Sequence, residues 1–214
     1  MSVRLIAKTM PVDSAFPEDT VKTAQDLVAY CARVSNPSNQ VNVLTYPKLL
    51  MYLINHKHWS PFEMVSLVFE VKTTRAIAPQ ILRHRSFSFQ EFSQRYSVAL
   101  GLKMPEIRMK AEKNRQSSMD VTHEFDNDIS QAMKLIRGLY DKMVSSGVAT
   151  ETAREILPLC TETTLYMSGT LRSFIHYVEV RSKDDTQKEH RVIALQIKDI
   201  LKQEFLALGD SLWK

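Results

Sequence analysis

Residues 64 to 72 keep time in twos: Val65, Leu67, Phe69 and Val71 are apolar, with Ser66, Val68 and Glu70 between them. That is the period of a strand with one face buried. The opening VRLIAK is a second expected strand. Every longer pattern has the helical period instead. Val21, Ala24, Leu27, Val28 and Cys31 predict a helix over 19 to 34, and Tyr46, Leu49, Leu50 and Leu53 one over about 45 to 57. Phe125, Ile129, Met133, Ile136 and Tyr140 predict a third. Leu171, Phe174, Ile175 and Val178 predict a fourth, and Ile193, Ile197, Ile200, Leu201 and Phe205 a fifth. Helices dominate with a few strands among them, so the expected fold class is α+β and not a regular strand–helix alternation. The 214 residues suffice for one good core, which predicts a single domain over 1–214.

Between these elements, SNPSNQVN (35–42) is a cluster of turn formers. The stretch KAEKNRQSSMD (110–120) has no apolar face and reads as a mobile excursion of the kind that serves as a lid. Cys31 and Cys160 are the only cysteines and lie far apart, which fits neither a disulfide framework nor a thiolate metal site. Both read as reduced core residues. No segment approaches the apolar length of a membrane span and MSVRLIAKTMPVD lacks a signal-peptide core, so a cytoplasmic protein with no membrane partner is expected. The net charge of +4 favours anionic ligands but falls short of a nucleic-acid coat.

The charge is concentrated in ILRHRSFSFQEFSQRYS, 81 to 97, while the chain has five glycines and none in a G-x-G-x-x-G or Walker-type loop. A backbone nest for a dinucleotide is therefore not expected. Nucleotide binding would fall to side chains, and arginine suits it because its planar fork holds two phosphate oxygens at once. Arg75, Arg83, Arg85 and Arg95 are interleaved with Phe87, Phe89, Phe92 and Tyr96. Before Arg85, Gln80 and Arg83 share a helical face and Pro79 starts or kinks that helix. After it, Phe87 and Phe89 alternate and Phe92 falls out of phase, which predicts an irregular loop. From composition alone, a basic helix end over apolar residues remains an equal reading.

Arg83-His84-Arg85, seven residues and then Ser93 resembles the RHR-x7-S motif of flavin-dependent thymidylate synthases. CARVS (31–35), HKHWSPFE (56–63), AREILPL (153–159), LRSFIHYVEVR (171–181) and TQKEH (186–190) resemble further blocks of that family, in the same order. The resemblance implies an α+β domain with a small, mainly antiparallel sheet flanked by long helices. It also implies a homotetramer with FAD at active sites on the subunit interfaces. The implied reaction methylates dUMP to dTMP, with 5,10-methylenetetrahydrofolate as carbon donor and NADPH as reductant of the flavin. The hydride chemistry is the cofactor's own, and the protein contributes placement and electrostatics.

The matching positions give candidate roles. Ser60, Arg83, His84, Arg85, Glu91, Thr170, Arg172 and His176 match flavin contacts, with His58 near flavin and folate. Gln80, Arg83, Glu91, Ser93, Gln94, Arg95, Arg154 and Arg181 match dUMP contacts. Ser93 has no adjacent base to make it a nucleophile, so hydrogen bonding to nucleotide is its expected role. Glu91 has an alternative in an i,i+4 ion pair with Arg95 if that stretch is helical. Arg181 falls seven after Phe174 and three after Val178, so it continues an apolar stripe, and a cation directed inward wants an anion. In the family the matching arginine sits over the uracil and favours loss of its N3 proton, which makes Arg181 the catalytic candidate. Its alternative is an arginine that offsets the helix dipole and snorkels outward. His56 and His58 have no third ligand at suitable spacing, so no metal is expected. Gln90, Thr170 and Trp59 depart from residues common in relatives. Two other classes stay open: a non-catalytic nucleotide-binding homologue, and a basic protein that binds single-stranded nucleic acid.

Overall fold

The computed structural model describes residues 1–18, 20–112 and 118–213. In chain order the elements are β1 (Ser2–Lys8), α1 (Ala24–Ala32), α2 (Tyr46–Asn55), β2 (Ser66–Thr74), α3 (Ala78–Leu82), β3 (Ser88–Glu91), β4 (Arg108–Lys110), β5 (Ser118–Val121), α4 (Asp126–Ser145), α5 (Thr150–Ala153), β6 (Glu162–Thr170), α6 (Leu171–Arg181), α7 (Lys188–Glu204) and α8 (Leu206–Leu212). A four-stranded sheet has the order β1-β2-β6-β3, and β4 pairs with β5 in a separate antiparallel ribbon. Leu171 N–H donates to Val65 O at one end of the β2–β6 pair and Arg75 N–H to Thr161 O at the other, so these strands run antiparallel. By contacts the chain forms two compact units. The first comprises Met1–Val71, His84–Phe89 and Tyr166–Lys214, and the second comprises Lys72–Arg83 and Gln90–Leu165.

In the first unit Leu67, Phe69 and Val71 are buried, as the alternation requires, while Ser66 is exposed. Their apolar row meets α6, where Phe174 packs on Phe69 with ring centroids 4.8 Å apart. Phe87 packs on Phe174 at 4.7 Å, and Ile193, Ile197 and Leu201 of α7 close the same core. Helix α1 starts at Ala24, later than the periodicity begins, because Thr23 and Asp26 form a reciprocal capping box. Asp19, where that pattern begins, lies outside the described residues. Helix α2 stops at Asn55. Lys57 then takes the left-handed conformation (φ 57°), and His58 N–H returns to Leu53 O at 2.8 Å.

In the second unit Tyr140 of α4 is fully buried with Ala99 and Ala153, under Met143, Val144, Val148, Ile156 and Leu157. Its hydroxyl accepts the Ala99 N–H at 2.8 Å. Of the predicted stripe on α4, Tyr140 alone is buried: Ile129, Met133 and Ile136 are half-buried and Phe125 is exposed, standing before the first helical residue.

Two expectations are corrected, for the segment after Arg85 and for the two cysteines. The segment after Arg85 is not wholly irregular: Ser88–Glu91 forms β3 and the ladder continues as Phe92 N–H donates to Thr164 O. Strand β6 carried no expectation, since its inward row opens with Thr163 ahead of Leu165 and Met167 and its outward row holds Tyr166, which blurs the polar contrast. Cys31 and Cys160 are free thiols but half-buried, not core residues; burial pushes both thiols up in pKa. The polar 110–120 stretch is flanked by paired β4 and β5, and residues 113–117 within it lie outside the described residues.

Candidate active site

Eight predicted site residues fall in the first unit: His58, Ser60, His84, Arg85, Thr170, Arg172, His176 and Arg181. A cavity of about 380 Å³ there is lined by Trp59, Glu63, Ser86, Arg172, Ser173 and His176, among others. Two local structures build it. After the left-handed turn at Lys57, Ser60 opens a short 3-10 turn (Ser60–Met64) that presents Glu63. Thr170 caps α6, accepting the Ser173 N–H at 3.2 Å, and the first turns of α6 then present Arg172 and His176 one above the other. A cation in the first turn opposes the helix dipole, and an ion pair from Glu63 to Arg172 offsets that. Hydroxyls, an imidazole and the flat indole of Trp59 together suit a planar ring system, while the Arg172 guanidinium is paired with Glu63 and Glu179 adds a second carboxylate to the lining. His58 stands edge-on to Tyr52 at 5.9 Å. Among the described residues no cluster of His, Cys, Asp and Glu has a metal-holding arrangement.

Arg181 is half-buried at the last position of α6, and its Nε donates to His84 Nε2 across 2.9 Å. It meets an imidazole and no anion among the described residues. Burial, then the charge of Arg181, then His176 lower the His84 pKa, which favours the neutral ring that such an acceptor must be. Arg85, by contrast, is exposed and bonds to no described residue.

The other seven candidates fall in the second unit: Gln80, Arg83, Glu91, Ser93, Gln94, Arg95 and Arg154. Pro79 sits in the first turn of α3, so it starts that helix. Gln80 lies on α3, and Arg83 caps its end with its own guanidinium exposed and unbonded among the described residues. Glu91 ends β3 as a strand residue, so the i,i+4 pairing with Arg95 does not form. Arg75 Nη1 at 2.5 Å and Thr163 Oγ1 at 3.0 Å both donate to Glu91 Oε1, leaving Oε2 unbonded among the described residues. Arg95 instead pairs with the Glu151 carboxylate at 3.1 Å, and Arg154 Nε donates to the Glu151 carbonyl at 3.2 Å. One residue thus holds two of the candidate arginines. Gln94, next to Ser93 in the chain, is only 7% exposed and its side-chain Nε2 has no partner among the described residues. A buried amide donor without an acceptor costs free energy that a bound ligand oxygen would return.

Sequence reasoning assigned no role to Glu63, Thr163, Tyr177 or His190. Glu63 lies 109 residues from its partner Arg172 and Thr163 lies 72 from Glu91, so no local spacing signals either contact.

Residues 18–205 match the family described as thymidylate synthase complementing protein. A probable flavin-dependent thymidylate synthase of Paramecium bursaria Chlorella virus 1 is 46% identical over 222 residues, with 99% of each chain covered. The flavin-dependent thymidylate synthase of Synechocystis sp. is 47% identical over 220 residues, again with 99% of each covered. That of Thermus thermophilus is 34% identical over 91% of this chain and 74% of its own. Among solved structures, the UMP/dUMP methylase PolB of Streptomyces cacaoi bound with 5-Br dUMP superposes with a TM-score of 0.80 at 22% identity, covering 98% of this chain and 93% of that one. That likeness gives the fold.

Proposed function

The chain belongs to the flavin-dependent thymidylate synthase family, and from that premise we propose that it methylates dUMP to dTMP. The carbon comes from 5,10-methylenetetrahydrofolate and the reducing equivalents from NADPH through FAD. The observation that carries the reading is the match to two relatives at nearly half identity over 99% of both chains. The geometry supports it residue by residue. Arg95 and Arg154 hold the nucleotide phosphate, displacing a Glu151 carboxylate whose pairing with Arg95 is solvent-exposed and therefore weak. Gln94 donates its orphaned amide hydrogen to a nucleotide oxygen, and Ser93 and Gln80 add hydrogen bonds. Glu91, pinned through one oxygen, offers the other to both ligands. Arg181 faces the uracil and stabilises the N3-deprotonated ring, which makes C5 a better nucleophile toward the methylene carbon.

His58, Ser60, His84, Arg85, Thr170, Arg172 and His176 hold FAD, joined by Arg83 and Glu91. When bound, the reduced flavin supplies the hydride. Thr170 serves through its helix cap, which aims Arg172 and His176. The enzyme works as a cytoplasmic homotetramer with active sites on subunit interfaces; no helix among the described residues is long and apolar enough to cross a membrane. The test is an anaerobic assay of the purified protein with FAD, NADPH, methylenetetrahydrofolate and dUMP, separating dTMP chromatographically. The expected result is dTMP that disappears when either flavin or folate is omitted. Binding of flavin without dTMP in the complete mixture would refute the reading.

A further inference from the structure

Two fully buried polar side chains of the first unit have no part in the reading above. Tyr177 of α6 and His190 of α7 have no exposed surface and are bonded to each other, with His190 Nε2 and Tyr177 Oη 2.9 Å apart. Burial first, then Arg181 and then His84 push the His190 pKa down to about 3, so that ring is neutral. Both stand against His84. The Tyr177 ring meets it edge-on at 5.0 Å between centroids, and the His190 ring at 6.3 Å. On its remaining side lies Phe87, at 6.4 Å. The titratable and charged groups that face His84 are therefore Arg181, His176 and Tyr177 from α6 and His190 from α7.

The bond from Arg181 dictates the state of the ring. A guanidinium has donors only and keeps its charge, so His84 Nε2 must present a lone pair, and the proton of the neutral ring then sits on Nδ1. Without that acceptor, an arginine at the last residue of a helix turns outward to water. We infer that His84 is a positioning residue for Arg181: its Nε2 lone pair aims the guanidinium inward, and the Tyr177–His190 pair packs against the imidazole and holds the ring in place. The inference rests on the proposed role of Arg181 at the uracil. Protonation of His84 converts the acceptor to a donor and sets two cations in contact, which releases Arg181. Activity then falls on the acid side with the titration of a residue that need not touch the nucleotide.

The test uses the full-length, 15N-labelled protein and long-range 1H–15N spectra of its imidazoles. His84 is expected as the Nδ1–H tautomer, titrating below the ordinary histidine value. Arg181→Ala is expected to move that titration upward, and Tyr177→Leu, which removes the edge-on ring and part of the burial, to bring it nearer the ordinary value. An Nε2–H His84 in the unaltered protein overturns the positioning role, as does a titration indifferent to Arg181→Ala; an unchanged His84 titration in Tyr177→Leu overturns the brace. Kinetics at saturating FAD give the second readout. His84→Leu should lower kcat roughly 10- to 100-fold, the worth of one hydrogen bond to a charged group. His84→Gln, whose amide oxygen accepts but does not titrate, should recover most of that and lose the acid limb. An equal loss in both variants with an unchanged acid limb refutes the inference. A protein that forms no dTMP yet shows the Arg181-linked Nδ1–H ring overturns the nucleotide reading and leaves the pair standing.

Discussion

Replacing Gly169 by alanine tests whether the segment bearing His84 and Arg85 is held by packing. Gly169 lies on β6 directly against the Phe87 ring. A Cβ there would meet Phe87 Cδ1 at 2.4 Å, Cε1 at 2.8 Å and Cγ at 3.4 Å. Carbon atoms pack at roughly 3.5–4.0 Å, so the ring must retreat by about 1 Å. It has little room, being 9% exposed and packed on Phe174 with centroids 4.7 Å apart. Overpacking of this kind costs about 1–3 kcal/mol, against which alanine recovers about 0.4–1 kcal/mol by narrowing the unfolded ensemble. The net loss of about 1–2 kcal/mol corresponds to a Tm lower by roughly 2–8 °C for a chain of this size, at fixed protein concentration. Function should follow, because Phe87 N–H donates to His84 O at 3.3 Å and ties the ring to the turn. Thermal melts and a flavin fluorescence titration measure the two effects. Adding Phe87→Leu, which clears the space, should recover part of the Tm in the double variant. A Gly169→Ala protein as stable as its parent, with unchanged flavin affinity, would refute the argument that this packing fixes the turn.

Gly138 predicts the opposite sign: it is exposed in mid-α4, nothing lies within 4 Å of its virtual Cβ, and Gly138→Ala should stabilise by about 1 kcal/mol in the same melts. Tyr140→Phe leaves the buried Ala99 N–H without its acceptor and should cost about 1–3 kcal/mol in urea unfolding. Thr163→Val keeps the volume at a buried site but removes one of the two donors that pin Glu91, so dUMP affinity measured by calorimetry should weaken roughly tenfold or more. His190 has a folded pKa near 3 against 6.5 when free, so the unfolded chain binds the proton first and stability falls as pH drops below about 6.5. That group alone should remove about 2 kcal/mol between pH 7.5 and pH 5, and His190→Gln should flatten the dependence in denaturant titrations.

The legible parts of this fold were those with a local period. Strand β2 and helices α2, α6 and α7 were anticipated because each buries one regular face, and their ends were then set by caps the period does not see, as Thr23 and Asp26 do for α1. Strand β3 escaped because four residues are too few to establish alternation. The same holds for the site. Arg83, His84, Arg85 and, seven residues on, Ser93 form a short local motif and stand out, and Arg181 announced itself by continuing an apolar stripe. What completes them is invisible in sequence. Glu63 reaches Arg172 across 109 positions, and His84 meets Arg181 across 97. Such contacts exist only once the sheet and helices have brought the segments together.

The arginines sort by what the protein itself gives them. Arg75 and Arg172 face carboxylates, of which Glu91 is partly withdrawn from solvent and Glu63 is exposed, and those pairs orient neighbours: Arg75 fixes Glu91, and Glu63 orients Arg172. Arg83 and Arg85 are exposed without a bond among the described residues, Arg154 has a carbonyl only, and Arg181 has a neutral ring. A guanidinium keeps its charge whatever its surroundings, so these four leave positive charge unneutralised within the chain. In a chain with only five glycines, the backbone amides of a glycine-rich loop are not available to receive phosphate. Under the proposed function the uncompensated arginines take over that task, and they differ from such a loop in one respect. Arg154 and Arg181 are each aimed by a specific acceptor, which suits the proposed division between a phosphate and a nucleobase. His84 matters for that reason: as a neutral acceptor it fixes the direction of the Arg181 guanidinium without cancelling its charge, which a carboxylate in the same place would do.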